Sequence, residues 1–361
     1  MPVETMRLHS NVRDYTVSLQ SDAEFIGRLV EMPNRVFVID ENVWASHRQG
    51  VLAAVPESDV LVLPIAEGFK TLASVEEVWD RLLERSARRN MTLVSIGGGI
   101  CQDVTGFAAS TLYRGIGWIF LPTTLLAQAD SCIGSKTSLN YRRFKNLLGT
   151  FFPPNEVHIL ASFLTTQDAA DYFSGVGEVV KLHIMGGHES ATGLVARFGD
   201  VRARDMAIMQ EVIRDSLLIK QNYIAGDEFD TGRRNMLNYG HCFGHAVETA
   251  SDFAVPHGQA VVLGMIMAQR LARTRGLETD AGQKALLDHL FREALLVERI
   301  PRDIDIDGVI EAMKHDKKRT GEGLVVVMAA DGLEMVKHDD VSVNEAHCAA
   351  TETLRNLLGR N

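Results

Sequence analysis

The period of the hydrophobic pattern changes near residue 161. Before that point, short apolar runs alternate with longer amphipathic stretches. Residues 13–19 alternate apolar and polar as a half-exposed strand does. Residues 35–40, 60–65 and 91–96 are nearly continuous apolar runs of the kind found in buried strands. The last of these runs straight into Gly97-Gly98-Gly99. A fourth run, residues 118–121, is ended by Pro122-Thr123-Thr124. Residues 73–89 carry a helical pattern, and a second helical stretch follows the glycines to about Leu112. Strands alternating with helices predict βαβ units and a parallel sheet. From residue 162 the period is mainly helical, with many Ala, Leu, Met and Glu, and only 324–328 and 333–337 read as strand. The pattern therefore predicts an α/β domain over residues 1–161 and a mainly α-helical domain over 162–361.

Composition narrows the partners. The chain has 361 residues, long enough for two domains, with the 46% hydrophobic and 23% charged content of a globular protein. A net charge of −10 gives no overall basic field, so neither nucleic acid nor a membrane is an expected partner. An anionic substrate has to be met by a local cluster of cations. Cys101, Cys132, Cys242 and Cys348 are widely spaced, which fits a reducing cytoplasm better than a disulfide framework. The start of the chain has no basic segment followed by an apolar run, so no secretory signal is expected.

Two stretches carry candidate chemistry. In Asn238-Tyr239-Gly240-His241-Cys242-Phe243-Gly244-His245, the two histidines are one helical turn apart on one face. His257 follows beyond Pro256, and Glu178 and Lys181 lie three apart upstream. Glu178 with two of the three histidines makes a nitrogen and oxygen site of zinc type, with one coordination position open. For the His spacing alone, ordinary polar residues without a metal are the commoner explanation. In the second stretch, Gly97-Gly98-Gly99 stands between a strand and a helix, where glycines let backbone approach a pyrophosphate. A plain tight turn is the alternative, since the full dinucleotide fingerprint is absent. Asp40 ends an earlier strand and reads either as a ribose ligand or as a helix N-cap. Lys136, Arg142, Arg143, Lys145 and Arg114 bring many cations into a short span of an acidic protein. They suit a phosphorylated substrate or a solvated basic face.

Taken together and in order, these motifs resemble one family. Gly97-Gly98-Gly99 with Asp103, Pro122-Thr123-Thr124 through Asp130-Ser131, Gly134 with Lys136-Thr137, Lys145-Asn146 and Glu178-Val179-Val180-Lys181 match it. So do Asn238 with Gly240-His241 and Gly244-His245, His257-Gly258, and Asp316-Lys317-Lys318. The combination is similar to the 3-dehydroquinate synthases within the wider sugar phosphate cyclases. The resemblance implies an NAD-binding N-terminal domain and a helical C-terminal domain that holds metal and substrate. It implies a divalent cation, zinc or cobalt, on Glu178, His241 and His257. NAD would meet Asp40, Glu67, Lys70, Gly98, Gly99, Asp103, Thr123, Thr124 and Lys145. Lys136, Lys181, His245, Asp130 and Lys145 would be catalytic. Arg114, Asn146, Lys220, Arg234, Asn238 and Lys318 would bind substrate, with Arg114 reaching in from a second subunit of a homodimer. The implied reaction is that of a carbon–oxygen lyase. It converts 3-deoxy-D-arabino-heptulosonate 7-phosphate to 3-dehydroquinate and phosphate by transient oxidation, β-elimination, reduction and aldol closure.

Several positions depart from the family pattern. Gln102 stands for a glycine in the phosphate-binding turn. Gln259 stands where His-Gly-Glu is usual, which bears on the shell around His257. Thr166-Gln167-Asp168-Ala169-Ala170 and Tyr141-Arg142-Arg143-Phe144 are also unusual. These leave a sister reading open, an amino-dehydroquinate or sedoheptulose 7-phosphate cyclase. Two further readings are a metal- and NAD-dependent oxidoreductase of glycerol-dehydrogenase type and a non-catalytic binding protein. Lys220 and Arg234 favour a carboxylated substrate, because buried cations without an anion cost several kcal/mol.

Overall fold

The computed structural model describes residues 4–142, 144–315 and 323–359. It divides into two compact units. One holds residues 1–167 together with Ile224–Phe229, the other Asp168–Tyr223 and Asp230–Asn361. The division falls six residues beyond the change in hydrophobic period, and a short downstream segment returns to the first unit.

The first unit is built on strands β1 (Glu4–Leu8), β2 (Tyr15–Leu19), β3 (Arg35–Asp40), β4 (Val60–Leu63), β5 (Thr92–Gly97) and β6 (Gly117–Pro122). Strands β7 (Lys136–Tyr141), β8 (Phe144–Phe151) and β9 (Glu156–Ile159) follow, with helices α1 (Glu24–Glu31), α2 (Glu41–His47), α3 (Leu72–Glu84) and α4 (Gly99–Thr111) interspersed. Seven strands form one sheet in the order β1-β2-β9-β6-β5-β3-β4, parallel except for β1. In-register neighbours stack on one face: Phe37 beside Val94 beside Ile119, and Ile39 beside Ile96 beside Leu121. That face packs on Phe25, Ile26 and Leu29 of α1, with Leu52, Val55 and Phe163. The side-chain period of two selects one face for the core, and parallel pairing is why these strands read as unbroken apolar runs.

The buried runs at 35–40, 60–65, 91–96 and 118–121 all become strands. The helix expected over residues 73–89 stops at Glu84, because Ser86 adopts a left-handed conformation (φ 57°). The β7–β8 hairpin was not foreseen. Its two strands are half exposed, and the residue entering its tip, Arg142, takes positive φ (54°) where Asn or Gly normally signals a hairpin.

The second unit contains α5 (Ala169–Met185), α6 (His188–Ala203), α7 (Met206–Ile224), α8 (His241–Ala250), α9 (His257–Thr274), α10 (Ala281–Ala294), α11 (Ile306–Lys314) and α12 (Val343–Leu358). One antiparallel pair, β10 (Leu324–Ala329) and β11 (Met335–Val341), completes it where the two late apolar runs predicted strand. Helix α9 is central, packing on α5, α8, α10, α12 and β10. Helices α5 and α9 are buried nearly all round, which explains their lack of a clean amphipathic stripe. They cross at a glycine contact. A Cβ on Gly177 would overlap the Gly258 carbonyl, and one on Gly258 would overlap the Ser174 carbonyl. The Gly258 amide donates to Ser174 Oγ at 2.8 Å at the same crossing.

No helix is long and apolar enough to cross a membrane among the described residues.

Candidate functional site: a carboxylate and histidine cluster, and a glycine turn

The glycine crossing decides what lies beside it. Glu178 follows Gly177 on α5 and His257 precedes Gly258 on α9, so close backbone approach brings these two side chains together. Glu178 Oε1 lies 3.1 Å from His257 Nε2 and 3.4 Å from His241 Nε2. Two donors of a tetrahedral zinc site, each about 2.0–2.1 Å from the ion, are about 3.3 Å apart. The spacing therefore fits a cation of that size without rearrangement.

Ring orientation supports the same fit. His241 Nδ1 lies 3.1 Å from the Tyr239 carbonyl oxygen, which can only accept, so this nitrogen carries the proton and Nε2 presents a lone pair. His257 Nδ1 faces Glu248 Oε2 at 3.1 Å. Two imidazole nitrogens and a carboxylate oxygen thus converge on one point. Acceptors do not converge in a buried place without a proton or a cation among them.

The electrostatics follow. Burial would raise the Glu178 carboxyl, but Lys181 and His241 outweigh it and hold it well below the usual carboxylate range. Lys181, 2% exposed, sits 2.5 Å from Glu178 Oε2, so the carboxylate offers one oxygen to the ammonium and the other to the histidines. Burial and then Lys181 push His241 down despite Glu178. For His257 burial works downward, but hydrogen bonds to Glu178 and Glu248 prevail and raise it to about 10. A group that holds a proton this strongly between two carboxylates marks a place that wants positive charge.

His245 lies one turn beyond His241 and is exposed. Its ring centroid is 5.2 Å from that of His241 and 5.7 Å from that of His257. Ligand atoms of the three histidines all fall within 4.8 Å of one another, so His245 borders the cluster. Lys220 on α7 and Arg234 are both buried, 7% and 5% exposed. Asn238 ends the short turn Arg233–Asn238 and donates from Nδ2 to the Asn235 carbonyl at 2.7 Å. Lys318 lies outside the described residues.

In the first unit, the carboxyl ends of β3, β5 and β6 bring together Asp40, Gly97-Gly98-Gly99 and Thr123-Thr124. The order of strands reverses between β3 and β5, the switch point at which open α/β sheets take ligands. A Cβ on Gly97 would lie 2.5 Å from Cys101 Cβ and 3.2 Å from Asp40 Cβ, so this position admits only glycine. Gly98 caps α4 without a side-chain hydrogen bond, and a Cβ built on Gly99 would meet Ser131 Oγ no closer than 3.8 Å among the described residues. That leaves an open helix N-terminus of the kind that receives phosphate. Asp40 accepts from the Asn42 amide at 2.8 Å, so it does serve as the N-cap of α2.

Other expected residues are tied to one another. Lys70 Nζ is 2.6 Å from Asp103 Oδ2 and donates to Asn146 Oδ1 at 2.6 Å. Ser138 adds its amide and hydroxyl to Asp103 at 2.8 and 3.1 Å. Burial raises the Asp103 carboxyl, opposed by Lys70 and Ser138. Glu67 accepts from Asn140 Nδ2 at 2.8 Å and lies 3.7 Å from Lys145. Lys136 begins β7 and is exposed, Asp130 lies in the π-helical turn Ala127–Ser131, and Arg114 is an exposed left-handed residue (φ 65°) after α4.

The unusual residues have structural explanations. Gln102 Nε2 donates to the Ser131 carbonyl at 2.8 Å, and Ser131 Oγ returns a bond to Gln102 Oε1 at 2.7 Å, so the glutamine braces the turn. Gln259 is fully buried and faces away from His257. It donates to the Phe173 and Ala294 carbonyls and accepts from the Leu296 amide, at 2.9, 3.0 and 2.7 Å. The expectation that Gln259 bears on the shell around His257 is corrected: the carboxylate there is Glu248. The missed signal was spacing, since Glu248 is seven residues after His241 and returns to the same helical face. Gln167 accepts from the Leu125 amide at 3.1 Å, and Asp168 N-caps α5.

The comparisons agree with this arrangement. A family model described as the 3-dehydroquinate synthase N-terminal matches residues 60–174, and one described as its C-terminal matches 175–319. A 3-dehydroquinate synthase of Dehalococcoides mccartyi is 38% identical over 263 residues, 73% of this chain and 72% of the relative. One of Sulfurovum sp. (strain NBC37-1) is 34% identical over 351 residues, 95% of this chain and 96% of the relative. Among solved structures, a 2-epi-5-epi-valiolone synthase from Streptomyces hygroscopicus with NAD+ and Zn2+ bound has a TM-score of 0.79 at 25% identity, covering all of both chains. With two consecutive models spanning most of its length and relatives of this identity covering 73% and 95% of it, the chain belongs to the 3-dehydroquinate synthase family.

Proposed function

We propose that this protein is a phosphate-eliminating cyclase that uses NAD and a divalent cation to convert 3-deoxy-D-arabino-heptulosonate 7-phosphate to 3-dehydroquinate and phosphate. The convergence of Glu178 Oε1 with the Nε2 atoms of His257 and His241, at 3.1 and 3.4 Å, carries the reading. Glu178, His241 and His257 would hold the cation, zinc or cobalt, and Lys181 keeps Glu178 ionised. When bound, the cation polarises a substrate hydroxyl while NAD takes and returns the hydride.

The chain's own residues do the rest. His245, bordering the cluster and exposed, exchanges protons with the substrate. Lys220 and Arg234, both buried, are assigned to the substrate carboxylate. Lys136, Asn146, Asn238, Lys318 and Arg114 are assigned to the phosphate end, with Asp130 and Lys145 at the reacting carbons. Gly98 and Gly99 would cradle the pyrophosphate of NAD, with Thr123 and Thr124 beside it and Asp40 near a ribose. Glu67, Lys70, Asp103 and Lys145 form a preset charged rim. A homodimer in the cytoplasm is the accompanying expectation.

The test is to supply the protein with NAD, zinc and the heptulosonate phosphate and follow free phosphate and 3-dehydroquinate together. Phosphate released only from a different sugar phosphate would move the protein to a sister cyclase. Accumulating NADH with a simple polyol would make it a dehydrogenase instead.

A further inference from the structure

His257 stands between two carboxylates. Glu178 Oε1 faces Nε2 at 3.1 Å and Glu248 Oε2 faces Nδ1 at 3.1 Å. A neutral imidazole has one N–H to give, so only one of these contacts can be a hydrogen bond from it. Glu178 also faces His241 Nε2 and the Lys181 ammonium, which commits it to the cluster. Glu248 approaches from α8, with its side chain 8% exposed. Its backbone position is fixed by the helix that also carries His241 and His245, at spacings of seven and three residues. Three residues of one helical face thus address the cluster from one side, two through their rings and one through a partner's ring.

We infer that Glu248 is a positioning residue. It takes the Nδ1 proton of His257, fixes the Nε2 lone pair toward Glu178 and His241, and makes this imidazole a stronger donor to the cation. His241 differs here, because among the described residues its Nδ1 meets a neutral carbonyl, that of Tyr239. A carboxylate behind a histidine ligand makes that histidine more basic, and such partners typically contribute about 10–100-fold in metal affinity. His257 is accordingly the ligand whose strength is set by a side chain and can be changed by one substitution. The inference rests on the cation reading proposed above.

The experiment compares wild type, Glu248→Gln and Glu248→Asp for cobalt and zinc affinity by chelator competition, alongside the visible ligand-field spectrum of the cobalt forms. Glutamine keeps size and polarity but gives up the charge, so E248Q is expected to bind about 10–100-fold more weakly, with shifted cobalt bands. E248D keeps the carboxylate and is expected to recover part of the affinity, which a purely structural role would not explain. If E248Q binds cation as tightly as wild type, the inference is overturned while the cation reading stands. If wild type itself shows no saturable binding, both fall. Should E248Q not fold, long-range 15N–1H spectra of zinc-loaded wild type decide: an Nδ1 proton of His257 well downfield of that of His241, as a bond to a carboxylate gives, supports the inference, and equal shifts overturn it.

Discussion

The histidine cluster and the glycine turn are both candidate binding places, yet they are made differently. The cluster is side chains. Glu178, His241 and His257 project from three helices, with Glu178 Oε1 within 3.4 Å of both Nε2 atoms, and the ring orientations are set by Tyr239 and Glu248. The turn is mostly backbone. Gly97 exists to let β5 turn into α4 beside Cys101 and Asp40, and the charged residues around it, Lys70 and Asp103, satisfy each other. A cluster of ligands depends on donor identity, so it fails through chemistry. A backbone cradle depends on the space beside it, so it fails through added volume.

The largest effect should come from donor identity. Glu178→Gln replaces the shared carboxylate by a neutral amide and takes away the negative charge facing the buried Lys181 ammonium, which costs about 3–5 kcal/mol of stability. Cation affinity should fall by more than the roughly 100-fold that an outlying partner accounts for, and phosphate release should cease. Isothermal titration with zinc and a melting curve read both. An E178Q protein with wild-type affinity would show that the three histidines alone form the site, and the comparison would then need redrawing.

Next is Gly258→Ala. The added methyl would overlap the Ser174 carbonyl, forcing α5 and α9 apart. Overpacking of this kind costs about 1–3 kcal/mol, and the separation of Glu178 from His257 should lower cation affinity although no ligand is changed. An unaffected affinity would mean the crossing does not set the donor spacing.

On the other side, Gly97→Ala puts a methyl 2.5 Å from Cys101 Cβ. It should weaken NAD binding, measured by fluorescence titration, by about tenfold or more for about 1.4 kcal/mol of displacement at the turn. Zinc affinity should stay as in wild type. Loss of both together would break the proposed independence of the two regions.

The smallest effect is one of pH. Without metal, His257 is raised to about 10, above an ordinary histidine. A raised folded value stabilises fully below about 6.5 and is lost as pH climbs through about 10. The melting temperature of the metal-free protein should therefore decline across that window, and the His257→Asn variant should lack that component of the decline.

Much of this was written in the amino acids. Buried parallel strands have apolar residues on both faces, so residues 35–40 and 91–96 declare themselves as runs, and the four-residue spacing of His241 and His245 follows from the helical repeat alone. The order of motifs along the chain is by itself similar to that of one family. Tertiary structure alone decided the rest. Nothing in the local pattern says that Gly177 and Gly258, 81 positions apart, touch and thereby place Glu178 against His257. Nor does it say that Gln259 turns to helix ends while Glu248 takes the place behind His257. The Lys70–Asp103–Ser138 contacts also depend on partners distant in the chain. Periodicity reports which face of an element is buried. Which two faces meet, and which polar atoms are then left to find each other, is fixed only when the whole chain packs.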